Sequence, residues 1–247
     1  MSTFETFDGL TLHYNTEGSG APVVMLHSFG FDGRQWMGSA LASALVDSGR
    51  RTIALDARGH GRSDKPYVTS RYGVDALAHD VISLLDHLEV DTADVVSYSM
   101  GSFVALRLLQ LEPRVRRAAL GGVGSAALNP HLFGPADIPG RDDTDAARDL
   151  IASLAPHLTR RIDAGEADAR ALLEVLAGGF SPQDKDFAGV TASALLISGA
   201  ADDDPKPLAA ALPCARVQLV DGDHASAMEH PDFTSTIIEF LRDSTLA

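Results

Sequence analysis

One serine in this chain has surroundings that could make its hydroxyl group a nucleophile. An apolar run leads to Ser99, small residues stand two positions before and after it (Ser97 and Gly101), and a helical pattern follows directly. This spacing is typical of a sharp strand-to-helix turn of the G-x-S-x-G type, here with Ser97 in place of the first glycine. The turn would aim the N–H of Met100 at developing negative charge. Because a lone serine in this position is more often a helix N-cap, Ser99 needs partners.

A general base and an acid follow Ser99 in the chain. His224 lies in a loop after the last predicted strand, and Asp202 follows the strand before it. Because open α/β sheets form their sites at the carboxyl ends of the strands, we expect the three residues at one edge of the sheet. The order serine, aspartate, histidine is the one expected for this kind of fold. Asp202 is our first choice for the acid and Asp203 the second, since a one-residue slip among consecutive aspartates changes the assignment.

A second loop could supply the other half of an oxyanion hole. Residues 27–30 follow the apolar run 23–26, and the small Ser28 and Gly30 permit a tight turn. This turn would direct the N–H of Phe29 into the site and place its ring in or beside an acyl pocket. An ordinary strand-to-helix loop is an equally good interpretation of these residues on their own.

Short apolar runs alternate with helical patterns along the chain. Strands are predicted at 21–26, 51–55, 93–96, 117–123, 192–198 and 215–220, and an edge hairpin at 4–15. Helices are predicted from about 35 to 47, 74 to 88 and 232 to 241, and directly after Ser99. The alternation predicts an α/β fold with a mostly parallel central sheet and helices on both faces.

The stretch between the strands that end near 123 and begin near 192 breaks this alternation. It contains no convincing strand, and helical spacing covers roughly 143–158 and 162–176. We interpret residues of about 125–189 as a small helical cap inserted over the sheet. The whole chain, 1–247, is then a single domain.

Composition limits the partners and the compartment. The chain has 34 Asp and Glu against 20 Lys and Arg, a net charge of -14, which disfavours nucleic acid and anionic membrane surfaces as partners. The single cysteine, Cys214, cannot form an intrachain disulfide, and neither a signal-peptide pattern nor an apolar run of about 20 residues occurs. We expect a soluble, cytoplasmic protein without cofactor or metal, since no metal-ligand spacing is present. Nothing in the sequence indicates the oligomeric state.

Taken together, these motifs resemble the α/β-hydrolase superfamily over nearly the whole chain. Residues 27–30 resemble its His-Gly-x-Gly oxyanion segment, and 56–64 resemble its Asp-x-Arg-Gly-x-Gly-x-Ser loop. Residues 199–202 resemble the acid motif, and the segment around His224 resembles the base segment. Ser28 replaces the usual glycine, a variant similar to the 3-oxoadipate enol-lactonase branch. A serine nucleophile argues against the dehalogenase and epoxide hydrolase branches.

The resemblance implies a mechanism and a substrate class. Ser99 would form an acyl-enzyme, His224 would take and return the proton, and Asp202 would orient the imidazole. The N–H groups of Phe29 and Met100 would hold the oxyanion. The favoured function is therefore hydrolysis of a small to medium carboxylic ester or lactone. The alternatives are a C–C bond hydrolase or cofactor-free haloperoxidase on the same triad, or a hydrolase-fold receptor or signalling protein for a small ligand.

Overall fold

An eight-stranded sheet organises the part of the chain that the computed structural model describes, residues 2–129, 137–138 and 143–243. Its strands are β1 Ser2–Glu5, β2 Thr11–Gly18, β3 Ala21–Leu26, β4 Arg50–Leu55, β5 Ala93–Tyr98, β6 Val115–Gly121, β7 Ser193–Gly199 and β8 Ala215–Val220. They lie in the order β1-β2-β4-β3-β5-β6-β7-β8. Strand β2 is antiparallel to both of its neighbours, and all other pairs are parallel. The predicted mostly parallel sheet with an edge hairpin is confirmed.

Helices cover both faces of this sheet. They are α1 Ala40–Asp47, α2 Val74–His87, α3 Met100–Leu111, α4 Thr144–Leu154, α5 Thr159–Asp163, α6 Ala169–Gly178, α7 Lys206–Ala211 and α8 Pro231–Arg242. Val95 of β5 packs with side chains of α2 and α3, whereas its neighbour Val96 packs with those of α1 and α8. Because successive residues of a strand point to opposite faces, both must be apolar, and this explains the continuous apolar run around them.

The first helix is shorter than its apolar spacing predicts. Helix α1 begins at Ala40 rather than near residue 35, because Gly38 has a φ of +75° and interrupts helical backbone. Ser39 then caps the helix by accepting a hydrogen bond from the N–H of Ala42 at 3.1 Å. The prediction of one helix from about 35 to 47 is therefore wrong at its start.

The helix predicted at 162–176 is two helices. Helix α5 ends at Asp163, Gly165 has a φ of +70°, and Asp168 caps α6 by accepting from the N–H of Ala171 at 3.0 Å. A residue with positive φ cannot continue a right-handed helix, so the apolar periodicity continues across a break in the backbone. Helix α7, short and preceded by Pro205, was not predicted at all.

Helices α4, α5 and α6 lie within the predicted cap. Their apolar side chains, with that of Leu158 between α4 and α5, make a small cluster that includes Ile151 and Leu172 and packs against Phe29 and Phe31. Residues 130–136 and 139–142 of the predicted insertion lie outside the described residues. Across the described ranges, none of the helices is both long enough and apolar enough to span a bilayer.

Candidate active site

The backbone turns sharply at Ser99, between the end of β5 and the start of α3. Ser99 has a φ of +52° and a ψ of -118°, an unfavourable conformation for a residue with a side chain. Backbone hydrogen bonds hold it there: its N–H donates to the carbonyl of Gly121 at 2.9 Å, and its carbonyl accepts from the N–H groups of Ser102 at 2.8 Å and Phe103 at 3.3 Å. Strained backbone of this kind persists only where the surroundings fix it, and it is concentrated at functional sites.

The small residues on either side of the turn have distinct structural reasons. A Cβ atom on Gly101 would lie 2.4 Å from the carbonyl oxygen of Leu26, so α3 can start this close to β3 only with glycine there. Ser97 is fully buried, and its Oγ lies 3.0 Å from the Oγ of Ser102 and 3.2 Å from the carbonyl oxygen of Ala119. The hydroxyl that replaces the first glycine of the pattern is thus hydrogen-bonded, and the turn accommodates it.

Ser99, His224 and Asp202 form one continuous chain of hydrogen bonds. The Oγ of Ser99 lies 3.0 Å from Nε2 of His224, and Nδ1 of the same ring lies 2.8 Å from Oδ2 of Asp202. An ionised carboxylate only accepts hydrogen bonds, so Nδ1 carries the proton of the neutral ring and Nε2 is free to accept. This tautomer is the one that can take a proton from the serine hydroxyl.

The charges of Asp202 and His224 also favour proton transfer from Ser99 to His224. Burial alone would raise the pKa of Asp202, but the hydrogen bonds from His224 and from the N–H of Asp203 lower it below the ordinary value. The pKa of His224 is raised, chiefly by its hydrogen bond to Asp202, which outweighs the opposing effect of desolvation. Asp202 is therefore ionised at neutral pH, and it stabilises the imidazolium that forms when His224 accepts a proton.

Of the three consecutive aspartates, Asp202 is the one that contacts His224. The carboxylate of Asp203 accepts from the Oγ of Ser125 at 2.5 Å and from the N–H of Ala126 at 2.7 Å, at the start of the predicted cap insertion. The carboxylate of Asp204 accepts from the N–H that begins α7. The alternative acid, Asp203, thus has a different partner.

Tyr98 holds the loop that carries His224. Its hydroxyl donates to the carbonyl oxygen of His224 at 2.9 Å, and the two rings have centroids 5.5 Å apart. On the other side of the loop, the carboxylate of Asp223 accepts from the N–H groups of Ala225 and Ser226 at 3.0 and 2.9 Å. The imidazole is half exposed, so these contacts, and not burial, fix its position. Sequence reasoning missed Tyr98, whose only local signal is that it precedes Ser99.

The predicted oxyanion loop begins beside the turn at Ser99, because β3 and β5 are neighbouring strands. Gln35 holds the loop: its Oε1 accepts from the N–H of Ser28 at 2.8 Å, and its Nε2 donates to the Oγ of Ser28 at 3.0 Å. The Nε2 group also contacts the sulfur of Met228, in the segment after His224, at 3.2 Å. Gln35, which was not singled out from the sequence, thereby links the two loops on which the predicted site depends.

The N–H groups of Phe29 and Met100 are the predicted oxyanion donors. Among the described residues the N–H of Phe29 has no acceptor, and the first N–H of a helix such as α3 has none within the helix. The half-buried ring of Phe29 stacks on Phe180 with centroids 6.0 Å apart, and it meets the edge of His60 at 6.0 Å. The ring of Phe29 therefore lies between His60 and Phe180, which follows α6.

Two buried histidines support the loops near Ser99. Nδ1 of His27 donates to the carbonyl of Ser28 at 2.8 Å, and its Nε2 accepts from the N–H of Ala57 at 3.0 Å. Burial lowers the pKa of His27, and burial together with the neighbouring His27 ring lowers that of His60 to about 3, so both rings are neutral. Within the described ranges, no group of His, Cys, Asp or Glu side chains is arranged to hold a metal ion.

Comparison with known proteins identifies related sequences. A family model described as alpha/beta hydrolase fold matches residues 21–190. The dihydrolipoyllysine-residue acetyltransferase component of the acetoin cleaving system of Pseudomonas putida is 39% identical over 115 residues, which cover 47% of this chain and 30% of that protein. The non-heme chloroperoxidase CPO-A1 of Kitasatospora aureofaciens is 38% identical over 101 residues, 41% of this chain and 35% of that protein. The chain thus spans well under half the length of these curated relatives.

Solved structures share the fold over nearly the full chain. An esterase from Exiguobacterium antarcticum superposes with a TM-score of 0.77 and covers 98% of this chain and 99% of its own, at 19% sequence identity. At this identity the likeness concerns the arrangement of strands and helices.

Proposed function

Because the chain belongs to the α/β-hydrolase fold family, we propose that it is a serine hydrolase that cleaves a small to medium carboxylic ester or lactone. The observation that carries this proposal is the unbroken hydrogen-bond chain from Ser99 through His224 to Asp202. A serine hydroxyl is a weak nucleophile until a neighbouring base accepts its proton. Here the base is in hydrogen-bond contact, and an ionised carboxylate orients it.

The first half of the reaction forms an acyl-enzyme. The Oγ of Ser99 attacks the ester carbonyl carbon while its proton moves to Nε2 of His224, and the carbonyl electron pair moves onto the oxygen. The N–H groups of Phe29 and Met100 hold this oxyanion. When the tetrahedral intermediate collapses, the bond to the alkoxy group breaks, and that group takes the proton from His224. In a lactone the released alcohol stays attached to the acyl group.

The second half regenerates the free serine. A water molecule attacks the acyl carbon and gives its proton to His224, and the same two N–H groups hold the second oxyanion. Collapse breaks the bond to Ser99, whose oxygen takes the proton back, and the carboxylic acid leaves. No redox step and no additional cofactor is needed for this sequence.

A second candidate uses the same acyl-enzyme. The 38% identity with a non-heme chloroperoxidase favours perhydrolysis, in which hydrogen peroxide replaces water as the attacking nucleophile. The product is then a peroxy acid, which oxidises a halide ion in solution to an electrophilic halogen. This reaction needs a carboxylate or ester, peroxide and halide as co-reactants and makes the same demands on Ser99 and His224.

Turnover of p-nitrophenyl esters from acetate to octanoate, and of simple lactones, tests the proposal. We expect activity in the wild type, a preference for short or medium acyl chains, and loss of activity in Ser99→Ala. Halogenation of monochlorodimedone with acetate, peroxide and bromide tests the second candidate with the same two proteins. Ester turnover that Ser99→Ala retains would contradict both, because it would mean that another group performs the chemistry.

A further inference from the structure

An arginine of the cap binds the oxyanion loop directly. Arg161 lies in α5, and its Nε–H donates to the carbonyl oxygen of Gly30 at 3.1 Å. A terminal N–H of the same guanidinium donates to Oδ2 of Asp32 at 2.7 Å. One planar group thus binds a backbone carbonyl and a side-chain carboxylate of the same short segment, which fixes the direction of the guanidinium as well as its distance from that segment.

Further contacts hold the guanidinium in this position. Arg161 lies over the ring of Phe31, with 5.0 Å between its central carbon and the ring centroid, and it pairs with Oε2 of Glu166 at 3.0 Å. Leu158 of the cap packs so closely on Gly30 that a Cβ atom there would lie 2.3 Å from the leucine side chain. Polar and apolar side chains of the cap therefore both contact this segment.

Asp32 is a well-anchored partner for this arginine. Its carboxylate is 2% exposed and also accepts from Nε of Arg34 at 2.9 Å and from a terminal nitrogen of Arg34 at 2.8 Å. Burial would raise the pKa of Asp32, but the hydrogen bonds and charges of Arg34 and Arg161 lower it to about 2. The carboxylate stays charged at neutral pH, and Arg34 still pairs with it when Arg161 is replaced.

The bonds from Arg161 to Gly30 and Asp32 affect the direction of the Phe29 N–H. That N–H belongs to the peptide group whose carbonyl is that of Ser28, and this carbonyl accepts from Nδ1 of His27 at 2.8 Å and from the N–H of Phe31 at 3.1 Å. The carbonyl of this peptide group is thus held by two donors of the loop itself. The carbonyl of Gly30, two residues further along the chain, is held by Arg161 of the cap.

We propose that Arg161 is a positioning residue for the oxyanion hole: from the cap it fixes the backbone at Gly30 and thereby the direction of the Phe29 N–H. This inference rests on the proposed function, since it assigns the Phe29 N–H to the oxyanion. Its consequence is that the cap controls the rate of the chemical step in addition to shaping the pocket. A cap displaced from the loop leaves the site accessible but the oxyanion donor misdirected.

The test compares Arg161→Leu with Arg160→Leu, its exposed neighbour on the same helix. For each protein we would measure kcat and KM with a p-nitrophenyl ester, and inhibition by a trifluoromethyl ketone, whose adduct with Ser99 carries a negative oxygen. A non-covalent alcohol with the same chain serves as the reference inhibitor. Thermal unfolding checks that each variant is folded. Arg161→Lys, which keeps the charge beside Asp32 but lacks the planar fork, is the second variant if Arg161→Leu does not fold.

Arg161→Leu is expected to lower kcat on the order of 10- to 100-fold with little change in KM, because a misdirected donor loses part of the oxyanion stabilisation. Inhibition by the ketone should weaken by a similar factor, binding of the alcohol should not change, and Arg160→Leu should match the wild type. A folded Arg161 variant with wild-type kcat would overturn this inference but not the proposed function. The same holds for a variant in which inhibition by the ketone and binding of the alcohol weaken equally. A wild type that neither turns over esters nor binds the ketone covalently would overturn the proposed function, and the inference with it.

Discussion

Replacing Asp202 by asparagine changes the charge beside His224 with almost no change in shape. The asparagine amide can donate to Nδ1 of the ring, and the ring then carries its proton on Nε2, towards Ser99. In that tautomer the imidazole cannot accept the serine proton. The substitution therefore removes two contributions at once: the orientation of the base, and the stabilisation of its charged form.

The size of the effect follows from the geometry. Nδ1 of His224 lies 2.8 Å from the carboxylate of Asp202, which is only 11% exposed. With an effective dielectric constant of about 20 and about 4 Å between charge centres, the attraction is about 4 kcal/mol, or about a thousandfold in rate. The half-exposed imidazole reduces this charge contribution, and the wrong tautomer adds to the loss. We expect Asp202→Asn to lower kcat on the order of 10³- to 10⁴-fold.

Asp203→Asn is the matched control, because it makes the same chemical change one residue away. Asp203 binds Ser125 and Ala126, so its replacement should reduce thermal stability while kcat stays within a few-fold of the wild type. The assay is kcat and KM for a p-nitrophenyl ester between pH 6 and 9. A loss of less than about tenfold in Asp202→Asn, or an equal loss in both variants, would refute the reasoning about the acid.

Three further predictions concern the same site. The catalytic base must be neutral, so kcat/KM should fall as the pH drops through the pKa of His224, which is raised above the ordinary value of 6.5. In Asp202→Asn, a pH–rate profile should show this fall at lower pH. Tyr98→Phe removes the hydrogen bond to the His224 carbonyl but keeps the ring; we expect the free energy of unfolding to fall by about 1 kcal/mol and kcat to fall several-fold, measured by urea unfolding and ester turnover. Gly101→Ala places a methyl group against the carbonyl of Leu26; it should reduce stability by about 1–3 kcal/mol or more and abolish most activity, and a variant of wild-type stability and kcat would show that the close approach is not needed.

The central strands could be predicted from the sequence because they are buried on both faces. The bounds of β3 agree with the apolar run at 21–26, the run at 93–96 lies within the buried strand β5, and the alternation with helical patterns led to the parallel arrangement. A short apolar run between turn-forming residues is typical of a strand buried on both faces. The fold class therefore followed from local patterns.

Helix ends and the cap were less predictable, for a physical reason. Glycines at 38 and 165 adopt positive φ values, which apolar spacing does not reveal, and they shorten one predicted helix and divide another. The cap helices α4 to α6 pack mainly on each other, so their pattern indicates helices without indicating what they cover. Their contact with the oxyanion loop depends on the tertiary arrangement.

In the candidate site, too, some residues could be predicted from local sequence patterns and others could not. The types and order of Ser99 and His224 could be read from the sequence, since the flanking residues of each follow a local pattern. The choice among consecutive aspartates could not, because it depends on which carboxylate reaches the imidazole. Tyr98 contacts a residue that lies 126 positions after it in the sequence, and Arg161 contacts one that lies 131 positions before it. No local pattern marks either of them.

The proposed mechanism requires a covalent acyl group on Ser99. Intact-protein mass spectrometry, after brief mixing with a p-nitrophenyl ester or with a fluorophosphonate probe, measures this group. We expect one added acyl or phosphonyl group in the wild type, located by peptide mapping to the segment that contains Ser99, and none in Ser99→Ala. An unmodified wild type that still hydrolyses the ester, or an adduct that persists in Ser99→Ala, would contradict the proposed mechanism.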